Sequence, residues 1–124
     1  MKKKREILVI AQEPYAAASL ALIFEHDGYT TLAAIHEELV YFYLKFHPVG
    51  AIFFNGKFDL LKRIRIQYPR ILIVCYISPD EAVRPYQQYC DRIVIKSSTD
   101  EEIIQSVRMD LPNEVFELTK ERKN

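Results

Sequence analysis

The sequence predicts an α/β protein in which a parallel five-stranded sheet lies between layers of helices, a (βα)5 sandwich. Three observations carry that prediction. Five apolar runs of strand length recur along the 124 residues, each followed by a helix-type pattern. The runs lack the apolar–polar alternation of a half-exposed strand, so both faces of the sheet are covered. The stretches between them are short and polar, and several are punctuated by proline or glycine. Right-handed crossovers leave few topologies open, and the order 2-1-3-4-5 is one common solution for a chain of this length.

Glu6 to Ile10 is the first and central strand: Ile7-Leu8-Val9-Ile10 is unbroken, and three of the four residues are β-branched. It stops at Ala11-Gln12-Glu13-Pro14. The helix that follows, Tyr15 to His26, carries Leu20, Ile23 and Phe24 on one face and ends at Asp27-Gly28. Thr30 to Ile35 is a short second strand. Glu37 to Phe46 is a second helix, ended by His47-Pro48. Gly50 to Phe54 is the third strand, stopping at Asn55-Gly56, after which Leu60, Leu61, Ile64 and Tyr68 stripe a third helix before Pro69.

Ile71 to Tyr76 is the strongest strand signal. Ser78-Pro79-Asp80-Glu81 reads as the start of a fourth helix, with proline and acids where the macrodipole favours them, although Pro85 inside it weakens it. Arg92 to Ile95 is the fifth strand. Ser98-Thr99-Asp100-Glu101-Glu102 opens a last helix through Ile103, Ile104, Val107 and Leu111, which Pro112 ends or kinks. One domain is therefore expected over residues 1–111, with a C-terminal tail over 112–124. The tail's apolar Val115, Phe116 and Leu118 either form a further helical turn or two or stay mobile.

Composition narrows the function. Apolar residues are 49% and charged residues 27% of the chain, which is globular. Lysine plus arginine equals aspartate plus glutamate at 17 each, so no global field draws the chain to nucleic acid or acidic lipid. The run Lys2-Lys3-Lys4-Arg5 reads as a solvated lead-in to the first strand, in preference to a nucleic-acid arm. Cys75 lies in a buried strand and Cys90 near a helix end, without metal-type or redox spacing, as reduced cytosolic thiols do. The charged N-terminus is not a secretory signal, and no apolar run reaches bilayer length. The expectation is a soluble, cytoplasmic protein without a membrane or nucleic-acid partner.

His26, His36 and His47 show no metal-ligand spacing and no paired nucleophile. Three glycines cannot make a phosphate loop, and no serine sits on a nucleophile elbow. No metal, no cofactor and no enzymatic activity is expected.

The strand-end residues, the five-fold order and Lys96 behind the fifth strand resemble the receiver domain of two-component response regulators. The likeness to this CheY-like, flavodoxin-like family runs from about Glu6 to Leu111. It implies an acidic pair after the first strand, an aspartate after the third, a threonine or serine after the fourth and a lysine-proline after the fifth. Those groups bind Mg2+ and accept a phosphoryl group on the central aspartate.

This sequence departs from that pattern at most of those positions. The acidic pair falls on Ala11 and Gln12, leaving only the neighbouring Glu13, and the phosphoacceptor position falls on Asn55. The hydroxyl position falls on Tyr76, with Ile77 in place of a small residue. Lys96 is kept, Ser97 replaces the proline, and the aromatic switch position is Ile93. The segment from Asn55 to Pro69 looks several residues short of the family's. The chain therefore resembles a pseudo-receiver.

Chemistry agrees with that likeness. Mg2+ needs hard oxygen ligands, generally one or two carboxylates. Glu13 against Lys96 leaves the site formally neutral, and an asparagine amide is no nucleophile for an acyl phosphate. Asp59 is the alternative acceptor, although an acid at the start of a helix is ordinary dipole complementation. Lys96 reads as paired with Glu13 or hydrogen-bonded to Asn55, with Gln12 completing a neutral network; its functional alternative is to hold an anion, such as a partner's carboxylate.

Two surfaces stand out. The second helix has more apolar residues than one sheet face can cover, which leaves Tyr41 and Phe42 either as a partner surface or as a half-exposed edge of the core stripe. The likeness to receivers further implies dimer or partner contacts on the face of helix 4, strand 5 and helix 5, where Tyr86, Tyr89 and Arg92 lie. The leading reading is a phosphorylation-independent interaction module for a protein partner or a second copy. The others are an atypical Mg2+-dependent phosphoacceptor using Asp59 or another group, and a small enzyme using Glu13 and Lys96 as an acid–base pair.

Overall fold

The computed structural model describes residues 5–116. Strands β1 (Glu6–Ala11), β2 (Thr31–Ala34), β3 (Val49–Asn55), β4 (Leu72–Ile77) and β5 (Arg92–Ile95) form one parallel sheet in the order β2-β1-β3-β4-β5. Helices α1 (Pro14–His26), α2 (Glu37–Phe46), α3 (Phe58–Gln67), α4 (Arg84–Gln87) and α5 (Asp100–Gln105) connect or follow them. The fold class and strand order match the expectation.

Successive residues of each strand feed opposite cores. Ile7, Val9, Phe53 and Val74 pack with Leu20 and Phe24 of α1 and Ile103 of α5. Leu8, Ile10, Ile52, Phe54 and Ile73 pack on the other side with Val40 of α2 and Leu61 and Ile64 of α3. Each fully buried side chain of this size contributes about 1.5–3 kcal/mol. That two-sided burial is why the strands read as continuous apolar runs.

Local chemistry sets the ends of α1. The Glu13 carboxylate accepts the Ala16 amide at 2.9 Å and Pro14 fills the first turn. At the other end Gly28 adopts a φ of 91°, a conformation costly for any residue with a Cβ.

Two helices depart from expectation. Ser78 to Glu81 is a turn, and α4 is a short helix with Pro85 in its first turn, so this proline starts the helix instead of interrupting it. Helix α5, opened by a Thr99–Glu102 capping box, ends at Gln105 rather than reaching Leu111. The cause is Arg92, which is 2% exposed. Its guanidinium donates to the carbonyls of Ser106, Arg108 and Leu111 and to the Asn113 side chain, so the chain after α5 coils around it. Phe116, itself buried, lies 4.7 Å from the same guanidinium, and the first residues of the expected tail thus pack on the domain. Lys2, Lys3, Lys4 and Leu118 lie outside the described residues.

Candidate functional site

The C-terminal ends of β1, β3, β4 and β5 frame a cavity of about 410 Å³. This is where an open parallel sheet collects its ligands. Asn55 ends β3 directly opposite Ala11 of β1, and Gln12 follows Ala11 at the rim. Lys96 follows β5, its amide bonded to the Ile77 carbonyl, and its ammonium lies 5.8 Å from the centre of the Tyr76 ring. Lys57, Phe58, Ser78, Glu81 and Tyr86 complete the wall.

The hydrogen bonds expected around Lys96 are not made. Glu13 caps α1, so its carboxylate serves the Ala16 amide, and Lys96 forms no ion pair or hydrogen bond with it. The side-chain amides of Gln12 and Asn55 make no hydrogen bond among the described residues, and no Gln12–Asn55–Lys96 network forms. No buried side-chain polar atom lacks a partner among the described residues, so the Asn55 amide faces the solvent of the cavity.

Tyr76 lines the cavity and also packs against the core on the α1–α5 side. Its ring stacks 5.0 Å from Phe53 on the α1–α5 side, where burial, helped by Asp100, raises its phenol above the usual value. Of the residues at that strand end, Ile77 and Ser78 also line the cavity.

Glu81 is a cavity residue that sequence reasoning did not place there. Its Oε1 accepts the Ser78 amide at 2.9 Å and its Oε2 accepts the Tyr86 hydroxyl at 3.0 Å. Burial, then that hydrogen bond, pushes the Tyr86 phenol up to about 12. The signal was present as Ser78-x-x-Glu81, half of a capping box, which a helix start would also show. Phe58 packs edge-on against Tyr86 at 5.4 Å and against Tyr89 at 5.6 Å, and so fixes the far wall.

A second cavity of about 520 Å³ adjoins the first and shares Gln12, Gly56 and Lys57 with it. Its floor is apolar, from Ile10, Ala11, Val40 and Leu60. Asp59, the alternative acceptor, is exposed on the first turn of α3 and opens into this second cavity, not the first. The bidentate Arg63–Glu37 pair, with bonds of 2.7 and 3.0 Å, ties α3 to α2 beside it.

These donors do not fit a divalent cation. The first cavity has one carboxylate, and both its oxygens are already bonded. Among the described residues no group of three or more His, Cys, Asp or Glu is placed to hold a metal.

Comparison with solved structures places the architecture. The chain superposes on the receiver domain of the Francisella response regulator 1452 with a TM-score of 0.70 at 19% identity, covering 94% of this chain and all of that one. It matches a CheY-like receiver domain protein from Methanospirillum hungatei JF-1 with a TM-score of 0.71 at 12% identity, over 98% of this chain and 100% of the other.

The fold is that of a response-regulator receiver domain.

The same receiver fold appears in NtrX from Brucella abortus in complex with ATP, with a TM-score of 0.76 at 19% identity. There 97% of this chain matches only 29% of the longer NtrX chain. No protein-family model and no curated protein matches the sequence.

On this receiver fold the residues expected to meet partners separate. Phe42 is 51% and Phe46 62% exposed, and their rings pair at 5.0 Å on the outer face of α2. Tyr41, Tyr86 and Tyr89 are half-buried against the core. Arg92, expected on the face formed with helix 4 and helix 5, points inward instead and is engaged by three backbone carbonyls and the Asn113 side chain. Among the described residues no helix is long and apolar enough to cross a membrane.

Proposed function

We propose that this chain is a phosphorylation-independent pseudo-receiver, a protein–protein interaction module in two-component-type signalling. One observation carries the reading: Asn55 occupies the end of β3 where a phosphoacceptor carboxylate would stand, in a cavity whose single carboxylate, Glu81, is already bonded. Without an acceptor oxygen or free metal ligands, neither the nucleophile nor the Mg2+ of phosphoryl transfer has a place there. Output then comes from surface contact, to a protein partner or a second copy. Tyr41 and Phe42 on α2, and Tyr86 and Tyr89 beside β5, are the residues proposed for it.

The test is intact-mass analysis after incubation with acetyl phosphate and Mg2+. The expected result is an unmodified chain. A phosphoryl adduct overturns the reading, and its loss in Asp59→Asn then assigns Asp59 as an atypical acceptor.

A further inference from the structure

We propose that the outer face of α2 is a homodimer interface, pairing antiparallel with the same face of a second copy about a two-fold axis. Phe42 stands beside that axis, and Glu38 of each copy faces Lys45 of the other. The inference rests on the interaction-module reading and deepens it, because it names the occupant of the α2 surface.

The face is apolar where a surface helix is ordinarily polar. Positions 38, 42, 45 and 46 fall on one stripe of the helix, and all four side chains are exposed. Phe42 is 51% and Phe46 62% exposed, with their rings 5.0 Å apart, and Tyr43 meets Phe42 edge-on at 6.0 Å. Contiguous exposed rings of this kind mark a contact surface. The inner side of the same helix is already covered, with Val40 buried and Leu39, Tyr41, Tyr43 and Leu44 packed on the core.

The charges on the outer face identify the occupant. Glu37 is held by Arg63 of α3 through a bidentate pair, whereas Glu38 makes no hydrogen bond or ion pair among the described residues. Lys45 has no carboxylate partner among them either, and its ammonium lies 5.5 Å from the centre of the Phe46 ring. The free acid is thus near the start of the helix and the free base near its end, about 10 Å apart along the axis. The midpoint between them falls beside Phe42.

A two-fold axis at that midpoint lays Phe42 against Phe42 and makes the Glu38–Lys45 contact twice. A parallel pair instead opposes Glu38 to Glu38 and Lys45 to Lys45. Antiparallel pairing also sets the positive end of one helix dipole beside the negative end of the other. A face that is its own complement is what an isologous dimer requires. The formal net charge of zero adds no long-range repulsion between copies. With 10 residues in α2, the contact stays below the roughly 1,600 Å² of a standard interface, so the dimer is weak and reversible.

The experiment is analytical ultracentrifugation of the full chain over a wide concentration range. A reversible monomer–dimer equilibrium is expected. Phe42→Ala weakens it by at least about tenfold, while the circular dichroism spectrum and melting temperature stay close to the parent's because the ring is half exposed. Glu38→Lys and Lys45→Glu each set like charges opposite one another, and each weakens the homodimer by about tenfold. Mixed in equal amounts, these two variants pair with each other and recover the parent's affinity, since one supplies the bases and the other the acids for both contacts.

A monomer at every concentration overturns the inference and leaves the face to a different protein. A dimer that Phe42→Ala leaves intact, or a mixture that shows no recovery, also overturns it and puts the dimer contact on another face. None of these outcomes touches the pseudo-receiver reading, which falls instead to a phosphoryl adduct on the chain.

Discussion

Arg92 donates from Nη1 to the Ser106 carbonyl at 2.7 Å inside the protein, and this bond marks where the last helix stops. An arginine fork supplies several donors in one plane, which is what the carbonyls of Ser106, Arg108 and Leu111 need once they leave the helix. Arg92→Lys retains the charge but not the fork. It is expected to cost about 3 kcal/mol, because hydrogen bonds to a charged group are lost and buried carbonyls are left unmatched. Chemical denaturation followed by circular dichroism measures it, and an unchanged midpoint refutes the role.

Glu13 is a cap, not a ligand. Glu13→Ala removes the acceptor for the Ala16 amide and should lower stability by about 1 kcal/mol. The same variant should leave the Lys96 amide resonance in place, since the Glu13 carboxylate is bonded outside the cavity. A large shift of that resonance would contradict the assignment.

Restoring carboxylates tests why the site fails as a metal centre. Asn55→Asp alone should leave the melting temperature insensitive to Mg2+. Adding Ala11→Asp and Gln12→Asp places three acids at adjoining strand ends, one of them at a buried position. Mutual repulsion and burial destabilise that triple variant, and Mg2+ should raise its melting temperature by binding only the folded state. No Mg2+-dependent rise would show that the backbone geometry, and not only the residue types, had been lost.

Tyr86 gives a pH prediction. Its folded phenol titrates near 12, against an ordinary value of 10.0. Between those values the unfolded chain has already lost the proton that the folded chain still holds. The contribution is therefore fully present below pH 10 and lost as the pH rises towards 12. Ultraviolet titration of tyrosinate should show a late-titrating group that Tyr86→Phe removes and Glu81→Gln shifts down. If Tyr86→Phe leaves the late phase intact, the assignment fails.

Local pattern determined most of this protein. The apolar runs at Ile7-Leu8-Val9-Ile10 and Ile71 to Tyr76 specified buried parallel strands, because a strand covered on both faces must be apolar throughout. The strand-end residues Ala11, Gln12, Asn55 and Lys96 were equally legible, since the end of a strand fixes what stands at the edge of its sheet. Tertiary structure decided the rest. Whether Glu13 met Lys96 or the α1 amides depended on a competition that spacing does not express, and the nearby helix terminus won. The stripe through Leu111 looked helical by local rules, yet Arg92, 14 to 19 residues away in sequence, drew the carbonyls of Ser106, Arg108 and Leu111 to itself. Hydrophobic periodicity is local and survives reading in one dimension; the choice of hydrogen-bond partner is settled only when remote segments compete for the same buried groups.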